Sequence, residues 1–174
     1  MGFRRLDELR AWALARVFKV GIYRLIDSGA LASNSTLEHQ LRDAAASAPA
    51  NIAEGFGRFD PADFARFVKI GPASILECRN HLIDAVDAGL ISEDLRLRHD
   101  AAAEDVMKET AGLLDYLQSP EAKRNAERIR QRRIDRRRAP GPYCADCTAT
   151  VAARFNDCWY RMMPLNSASA ICWR

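Results

Sequence analysis

The chain has 174 residues, of which 48% are hydrophobic and 28% are charged, a balance typical of a folded domain. Its length allows one ordinary core with an appendage, and no apolar run approaches the roughly 18 residues that a membrane span needs. The N-terminal sequence MGFRRLDELRAW carries acids and lacks the apolar core of a signal peptide, so we expect a cytoplasmic protein with no membrane attachment.

Charge is distributed unevenly along the chain. Residues 1–118 carry a net charge of −4, and residues 119–138 carry +6. This second segment, SPEAKRNAERIRQRRIDRRR, holds nine basic residues against three acids. Because a basic surface attracts polyanions, we expect any affinity for phosphate-rich partners to reside in residues 119–138 rather than in the body.

Apolar residues at helical spacing predict the first two helices. The first stripe is Leu14, Val17, Phe18, Gly21, Ile22 and Leu25. This helix ends near Ser28 and Gly29. The sequence STLE at residues 35–38 is a capping box that places Ser35 as the N-cap of the second helix. The second stripe is Leu37, Leu41, Ala44, Ala45, Ala48 and Ile52. Gly55 and Gly57 end this helix or loosen its last turn.

Two more helices are predicted before residue 119. Asp60 is placed as the N-cap of the third, with Pro61 at the first helical position, where its missing N–H is no loss. The third stripe is Phe64, Phe67, Val68, Gly71, Ile75, Cys78, Leu82, Ala85 and Val86. Pro72 interrupts it, and Gly89 ends it. The fourth helix is predicted to begin at Ser92, because the two acids that follow, Glu93 and Asp94, are favoured in the first turn of a helix. The fourth stripe is Val106, Thr110, Leu113, Leu114 and Leu117.

These segments predict an all-α fold. Nothing in residues 1–118 alternates with the period of a strand, and four helices joined by short loops favour an antiparallel up-down-up-down four-helix bundle. Residues 119–138 form a basic segment that can extend helix four. Residues 139–174, beginning with APGP, show no sustained period and are predicted to be an irregular or disordered C-terminal tail.

The cysteines divide between the bundle and the tail. Cys78 lies in a helical stripe and is predicted to be a small core residue. The tail cysteines are Cys144, Cys147, Cys158 and Cys172. The sequence CADC has the spacing of half a zinc site, but the remaining pair is too dispersed for a matching half. We therefore predict no metal and no cofactor.

A proline lies inside the second predicted helix. Pro49 removes one hydrogen bond and crowds the carbonyl four residues back, so we expect a bend that frees the Ala45 carbonyl. Asn51, Glu54 and Arg58 follow on one helix face, and Glu54 and Arg58 are spaced for an ion pair. We interpret Asn51 and Glu54 as partners for groups freed by the bend and for polar groups of a neighbouring helix. A subunit contact or ligand seam and, lastly, catalysis are the alternatives.

Residues 41–85, LRDAAASAPANIAEGFGRFDPADFARFVKIGPASILECRNHLIDA, resemble the bacterial four-helix-bundle proteins known from intervening sequences in 23S ribosomal RNA genes. The resemblance is carried by an AA-x-S-x-PANIAEG-x-GR segment ending at Arg58, by F-x-x-F at Phe64 and Phe67, and by a small-Ser-x-x-Glu stretch ending at Glu77. Looser similarity, including LRAWALARVFKVGIYRL, extends it over residues 3 to about 118.

The resemblance implies an antiparallel four-helix bundle. In the related accessory protein of diversity-generating retroelements it also implies a pentameric ring that binds nucleic acid and a reverse transcriptase. We therefore expect a homo-oligomer, a pentamer by resemblance, with RNA, DNA or a protein as possible partners. The motif residues with structural or interface roles are Pro49, Asn51, Glu54, Gly55, Gly57, Arg58 and Glu77. The four apolar stripes do not include three large aromatic residues, Trp12, Phe56 and Phe59. Apolar side chains that a core does not need are often part of an interface, so these residues also favour a subunit contact.

Three functions are open at this point. The first is a non-enzymatic helical adaptor that oligomerises and docks a protein or a nucleic acid. The second is nucleic-acid binding through the arginine-rich segment, by Lys123, Arg124, Arg128, Arg130, Arg132, Arg133, Arg136, Arg137 and Arg138. The third is a carboxylate-metal bundle enzyme in which Glu54, Glu77 and His81 face one another. That class uses Glu-x-x-His at i, i+3 on two helices, whereas Glu77 and His81 are four residues apart.

Overall fold

The computed structural model describes residues 5–58 and 60–138, and all the regular structure in these residues is helical. The described residues up to Arg133 form one compact unit, and residues 134–138 fall outside it. After a 3-10 turn at Leu6–Glu8, the helices are α1 (Arg10–Asp27), α2 (Ser35–Phe56), α3 (Pro61–Val68), α4 (Ile70–Asp87), α5 (Glu93–Gln118) and α6 (Pro120–Arg138). None of these helices is long and apolar enough to cross a membrane. The predicted tail with its four cysteines, and Phe59, lie outside the described residues.

Three helix starts are set by capping side chains. Asp60 accepts hydrogen bonds from two backbone N–H groups in the first turn of α3, and Ser92 accepts one at the start of α5. Both caps confirm the prediction. In α2, however, the cap is Asn34, whose Oδ1 accepts from the Leu37 N–H at 3.1 Å. Asparagine caps as well as serine, so Ser35 becomes the first helical residue and not the predicted N-cap.

The predicted third helix is interrupted. α3 ends at Val68 and α4 begins at Ile70, with Lys69 alone between them. Pro72 has no N–H to donate to the Val68 carbonyl, four residues back, and its ring crowds that carbonyl. Lys69 keeps helical backbone angles, φ −62° and ψ −24°, so the interruption is confined to a single residue. By contrast, α2 continues through Pro49.

The basic segment is a helix of its own. Ser119 has extended backbone angles, φ −71° and ψ 152°, and Pro120 is the first residue of α6. Proline disfavours helical angles in the residue before it but starts a helix well. The Ser119 hydroxyl then caps α6 by accepting from the Ala122 N–H at 3.2 Å. The sequence left open that residues 119–138 extend the preceding helix, and in the structure they form a separate one.

The helices α1 to α5 all contribute buried residues to a common core. α1 packs against α2 and α5, α2 packs against α4, and α4 packs against α5, while α3 contacts α2 and α5. The stripe predicted for α2 is buried in full. In α1 the prediction is wrong for Val17, which is 64% exposed. Val17 precedes the fully buried Phe18, and successive helical residues point about 100° apart, so the two cannot both face the core.

Cys78 lies in this core with none of its surface exposed, which confirms its predicted place. Burial, together with the nearby Glu77 carboxylate, raises the pKa of the Cys78 thiol to about 12. Because the thiolate is the reactive form, we expect Cys78 to resist iodoacetamide at pH 8 in the folded chain and to react once denaturant is added. Peptide mapping separates Cys78 from the tail cysteines. Rapid native alkylation of Cys78 would contradict a closed core.

Candidate functional site

The polar cluster after Pro49 lies where α2 packs on α4. Asn51 Nδ2 donates hydrogen bonds to the backbone carbonyl of Ser47 at 2.9 Å and to the Ser47 hydroxyl at 3.1 Å. From α4, the buried Ser74 hydroxyl donates to Ser47 Oγ at 2.8 Å. Asn51 thus contributes to the contact between the two helices. The carbonyl that it binds belongs to Ser47 and not, as expected from the proline, to Ala45.

Glu54 and Arg58 form the ion pair that their spacing predicted, with Glu54 Oε1 and Arg58 Nη2 2.5 Å apart. The two side chains are 53% and 48% exposed, so water weakens the pair. The Arg58 guanidinium also lies 4.7 Å from the centre of the Phe67 ring, a cation–π geometry. Among the described residues, Glu54 therefore pairs with Arg58, which lies just beyond the end of α2, and not with a polar group of a neighbouring helix.

Gly55 lies at a close approach between α2 and α3. A Cβ atom at Gly55 would be 2.6 Å from Phe64 Cδ2 and 2.9 Å from Phe67 Cβ. The Phe64 ring is nearly buried and meets Phe56 edge-on, with 6.2 Å between ring centres. Glycine is thus required for this packing. Gly57 has a different place, as the C-cap residue of α2 with ordinary helical angles.

The residues considered for a carboxylate-metal site do not meet in the interior. The Glu54 and Glu77 side chains are more than half exposed, on α2 and α4. The His81 side chain is mostly buried, and its ring nitrogens lie 3.9 Å from Glu77 Oε1 and 3.5 Å from Asp84 Oδ2. Neither nitrogen makes a hydrogen bond within the described residues. In that part of the chain no cluster of three or more His, Cys, Asp or Glu side chains is placed to hold a metal ion.

The basic residues predicted to bind nucleic acid lie on α6, and all nine are exposed. Within α6 only Ala122 is buried. The start of the helix is fixed to α5, because Asn125 Nδ2 donates to the Tyr116 hydroxyl at 3.4 Å. The last turn carries Arg136, Arg137 and Arg138. Cations are favoured at this end of a helix because the backbone carbonyls there are unpaired.

A groove of about 690 Å³ lies between the start of α3 and the first part of α6, and we call it the α6 groove. Its apolar lining consists of Pro61, Ala62, Ala65, Leu117, Ala126 and Ile129. Its basic residues are Arg58, Lys123, Arg130 and Arg133, and its acidic residues are Asp60 and Glu127. The groove therefore combines an apolar surface with an excess of positive charge.

This groove brings together two predicted sets of residues that are far apart in sequence. Arg58 belongs to the PANIAEG-x-GR motif, whereas Lys123, Arg130 and Arg133 belong to the basic segment. Sequence reasoning missed the groove because it allowed α5 and α6 to be one continuous helix. The available signal was Pro120, since the residue before a proline is driven out of the helical region.

The body of the chain matches a known protein family. A family model described as 23S rRNA-intervening sequence protein matches residues 7–112. This range covers α1 to α4 and most of α5, and it excludes α6. No curated protein matches the chain.

Proposed function

The chain belongs to the 23S rRNA-intervening sequence protein family, and we propose that it is a non-enzymatic helical bundle that self-associates and acts as an adaptor for a protein or a nucleic acid. The self-association takes the form of a homo-oligomer, specifically a pentamer. Catalysis and cofactors form no part of this proposal. That the protein lies in the cytoplasm stays a prediction from the sequence.

The body of this adaptor is an antiparallel four-helix bundle in which α3 and α4 together make the third helix. The helix contacts support this topology, since α1, α2, α4 and α5 each pack against two of the others. Two contacts between α1 and α5 support the proposal that these helices run in opposite directions. Arg10, at the start of α1, pairs with Glu109 at 3.2 Å, whereas a Cβ at Gly21, further along α1, would lie 3.5 Å from the ring of His99, near the start of α5.

Exposed apolar residues carry the proposal of self-association. Leu76 and Ile83 on α4 are 50% and 45% exposed, and Leu97 on α5 is 49% exposed. Large apolar side chains gathered on a surface are characteristic of interfaces. Of the three aromatic residues that the sequence suggested for this role, Trp12 and Phe56 pack against the core, where they are partly buried, and Phe59 lies outside the described residues.

Sedimentation velocity over a dilution series tests self-association. We expect a species several times the 19.5 kDa chain mass at tens of micromolar, because the exposed apolar side chains gain from being covered. Dissociation on dilution would give its affinity. A single species of 19.5 kDa at all concentrations would contradict the proposal.

Nucleic-acid binding through α6 is the second candidate function. It is favoured by the exposure of all nine basic side chains of α6 on a helix that adds little to the core. Arginine suits this role because its planar guanidinium makes two hydrogen bonds to one phosphate. Contacts of this kind position a strand without reading its sequence, so we expect little preference among RNA or DNA sequences.

A further inference from the structure

The outer surface of α4 combines apolar and acidic side chains. Leu76 and Ile83 are seven residues apart, so they lie on one side of the helix, and each is about half exposed. The exposed carboxylates of Glu77, Asp84 and Asp87 lie beside them. We call these five residues the α4 face.

Two basic side chains of α4 lie next to this face: His81 lies 3.9 Å from Glu77 Oε1 and 3.5 Å from Asp84 Oδ2 without a hydrogen bond to either, and Arg79 is already paired. Arg79 donates two hydrogen bonds to the Asp100 carboxylate on α5, at 2.6 Å and 2.8 Å. Its charge is therefore largely neutralised, and the α4 face carries an excess of negative charge. The bases that complement it lie elsewhere in the same chain.

The α6 groove, like the α4 face, combines apolar and charged side chains, but its charge is positive. Ile129 in its lining is 46% exposed, which matches the exposure of the apolar residues of the α4 face. Arg58 in the groove is engaged by Glu54. Lys123 and Arg130, by contrast, have no carboxylate partner among the described residues, so they present their charge at the groove.

We infer that the α4 face of one copy of this chain docks into the α6 groove of the next copy. Leu76 and Ile83 then cover the apolar lining of the groove, and Glu77 and Asp84 meet its basic residues. A helix ridge fits between two helices in the way that helices pack within a protein. The inference rests on the proposed self-association and names the two surfaces that produce it.

Such a contact joins two different surfaces, and each copy of the chain carries one α4 face and one α6 groove. A contact of this type closes into a ring when its rotation permits and otherwise extends into a filament. A closed ring with one groove and one face per copy leaves none of these surfaces exposed. This head-to-tail arrangement is what a ring of five copies requires.

A second copy suits the groove better than a nucleic acid does. Among the described residues no aromatic side chain lines the groove, whereas single-stranded nucleic acids bind by stacking their bases on aromatic rings. Phosphates would also leave Ile129 and the exposed residues of the α4 face uncovered. The bases of α6 outside the groove remain available to a polyanion in the assembled protein.

Two charge-reversed variants of the full chain test the inference. The face variant is Glu77→Lys/Asp84→Lys, and the groove variant is Lys123→Glu/Arg130→Glu. Each alone should weaken self-association by roughly a hundredfold, because like charges then oppose each other across the contact. Combining all four substitutions in one chain should restore it, since every face then again meets a groove of opposite charge, whatever the number of copies in the ring. Sedimentation velocity measures all three samples.

Matched controls reverse the same number of charges elsewhere. Asp43→Lys/Asp105→Lys changes exposed acids on α2 and α5, and Arg24→Glu/Arg98→Glu changes exposed bases on α1 and α5. Both should associate like the native chain, which separates a local contact from an effect of net charge. Circular dichroism checks that every variant is helical. The milder pair Glu77→Gln/Asp84→Asn should weaken association less than the reversal.

The possible outcomes test the assigned surfaces separately from the proposal that the chain self-associates. A native chain that is monomeric overturns both. A native chain that associates, with face and groove variants that associate equally well, overturns the assigned surfaces and leaves self-association standing. If the chain with all four substitutions stays dissociated although it is folded, the two surfaces do not meet. If the groove variant keeps its association but loses binding to a single-stranded RNA, the groove is a nucleic-acid site and the inference is wrong.

Discussion

Replacing Gly55 by alanine is expected to destabilise the folded chain by about 1 to 3 kcal/mol, the usual cost of forcing extra volume into a packed site. The added Cβ would lie 2.9 Å from Phe67 Cβ, an atom that cannot move without the backbone of α3. It would also lie 2.6 Å from the Phe64 ring, which is held against Phe56. The better helix propensity of alanine offsets only up to about 1 kcal/mol of this cost. Urea denaturation followed by circular dichroism measures the change.

Two other glycines provide controls for this substitution. Gly112 lies inside α5, and among the described residues nothing lies within 4 Å of a methyl group added there, so Gly112→Ala should stabilise the chain by roughly 0.5 to 1 kcal/mol. A Cβ at Gly57 would be 3.4 Å from the Glu54 carbonyl oxygen, and Gly57→Ala should change stability little. If Gly55→Ala were as stable as Gly112→Ala, the close approach of α2 and α3 would be wrong.

Neutralising the distal bases of α6 is expected to reduce affinity for a single-stranded RNA by a hundredfold or more at low salt. The variant replaces Arg132, Arg136, Arg137 and Arg138 by glutamine. Each phosphate that the variant no longer neutralises should also reduce the slope of log affinity against log salt by about 0.7, because fewer counterions are released. These four arginines lie outside the lining of the α6 groove, so self-association should persist. Fluorescence anisotropy of a labelled RNA measures both effects.

The control for this variant removes four exposed arginines from the body. Arg16, Arg24, Arg66 and Arg98 lie on α1, α3 and α5, and their replacement by glutamine changes net charge equally. Binding should stay near the native value if α6 carries the contacts. Equal losses in the two variants would show that the body binds the strand through a basic face that its net charge of −4 conceals.

Several features of the fold could be predicted because they depend on local chemistry. The α2 stripe is buried as its spacing indicates, and Asp60 caps α3 because a carboxylate two or three residues before free N–H groups binds them wherever the helix lies. The family match likewise confirms a resemblance carried by a long motif. Periodicity alone misplaced Val17, because a stripe read as i, i+3, i+4 includes residues at the edge of the buried face.

The parts of the candidate site that depend on distant contacts could not be predicted. The sequence EGFGR contains two glycines, and only contact with α3 shows that Gly55 is required for packing whereas Gly57 ends the helix. The α6 groove depends on the extended backbone of Ser119, which separates α6 from α5. A proline signals that a helix stops before it, but the direction of the next helix is set by what it packs against.

The most direct measurement is size-exclusion chromatography with light scattering on the full chain, with and without a single-stranded RNA. A self-associating adaptor gives a protein mass that is a multiple of 19.5 kDa in both runs, five times that mass for a pentamer, with RNA eluting in the same peak at low salt and separating at high salt. A protein mass of 19.5 kDa at tens of micromolar, with or without RNA, would contradict it.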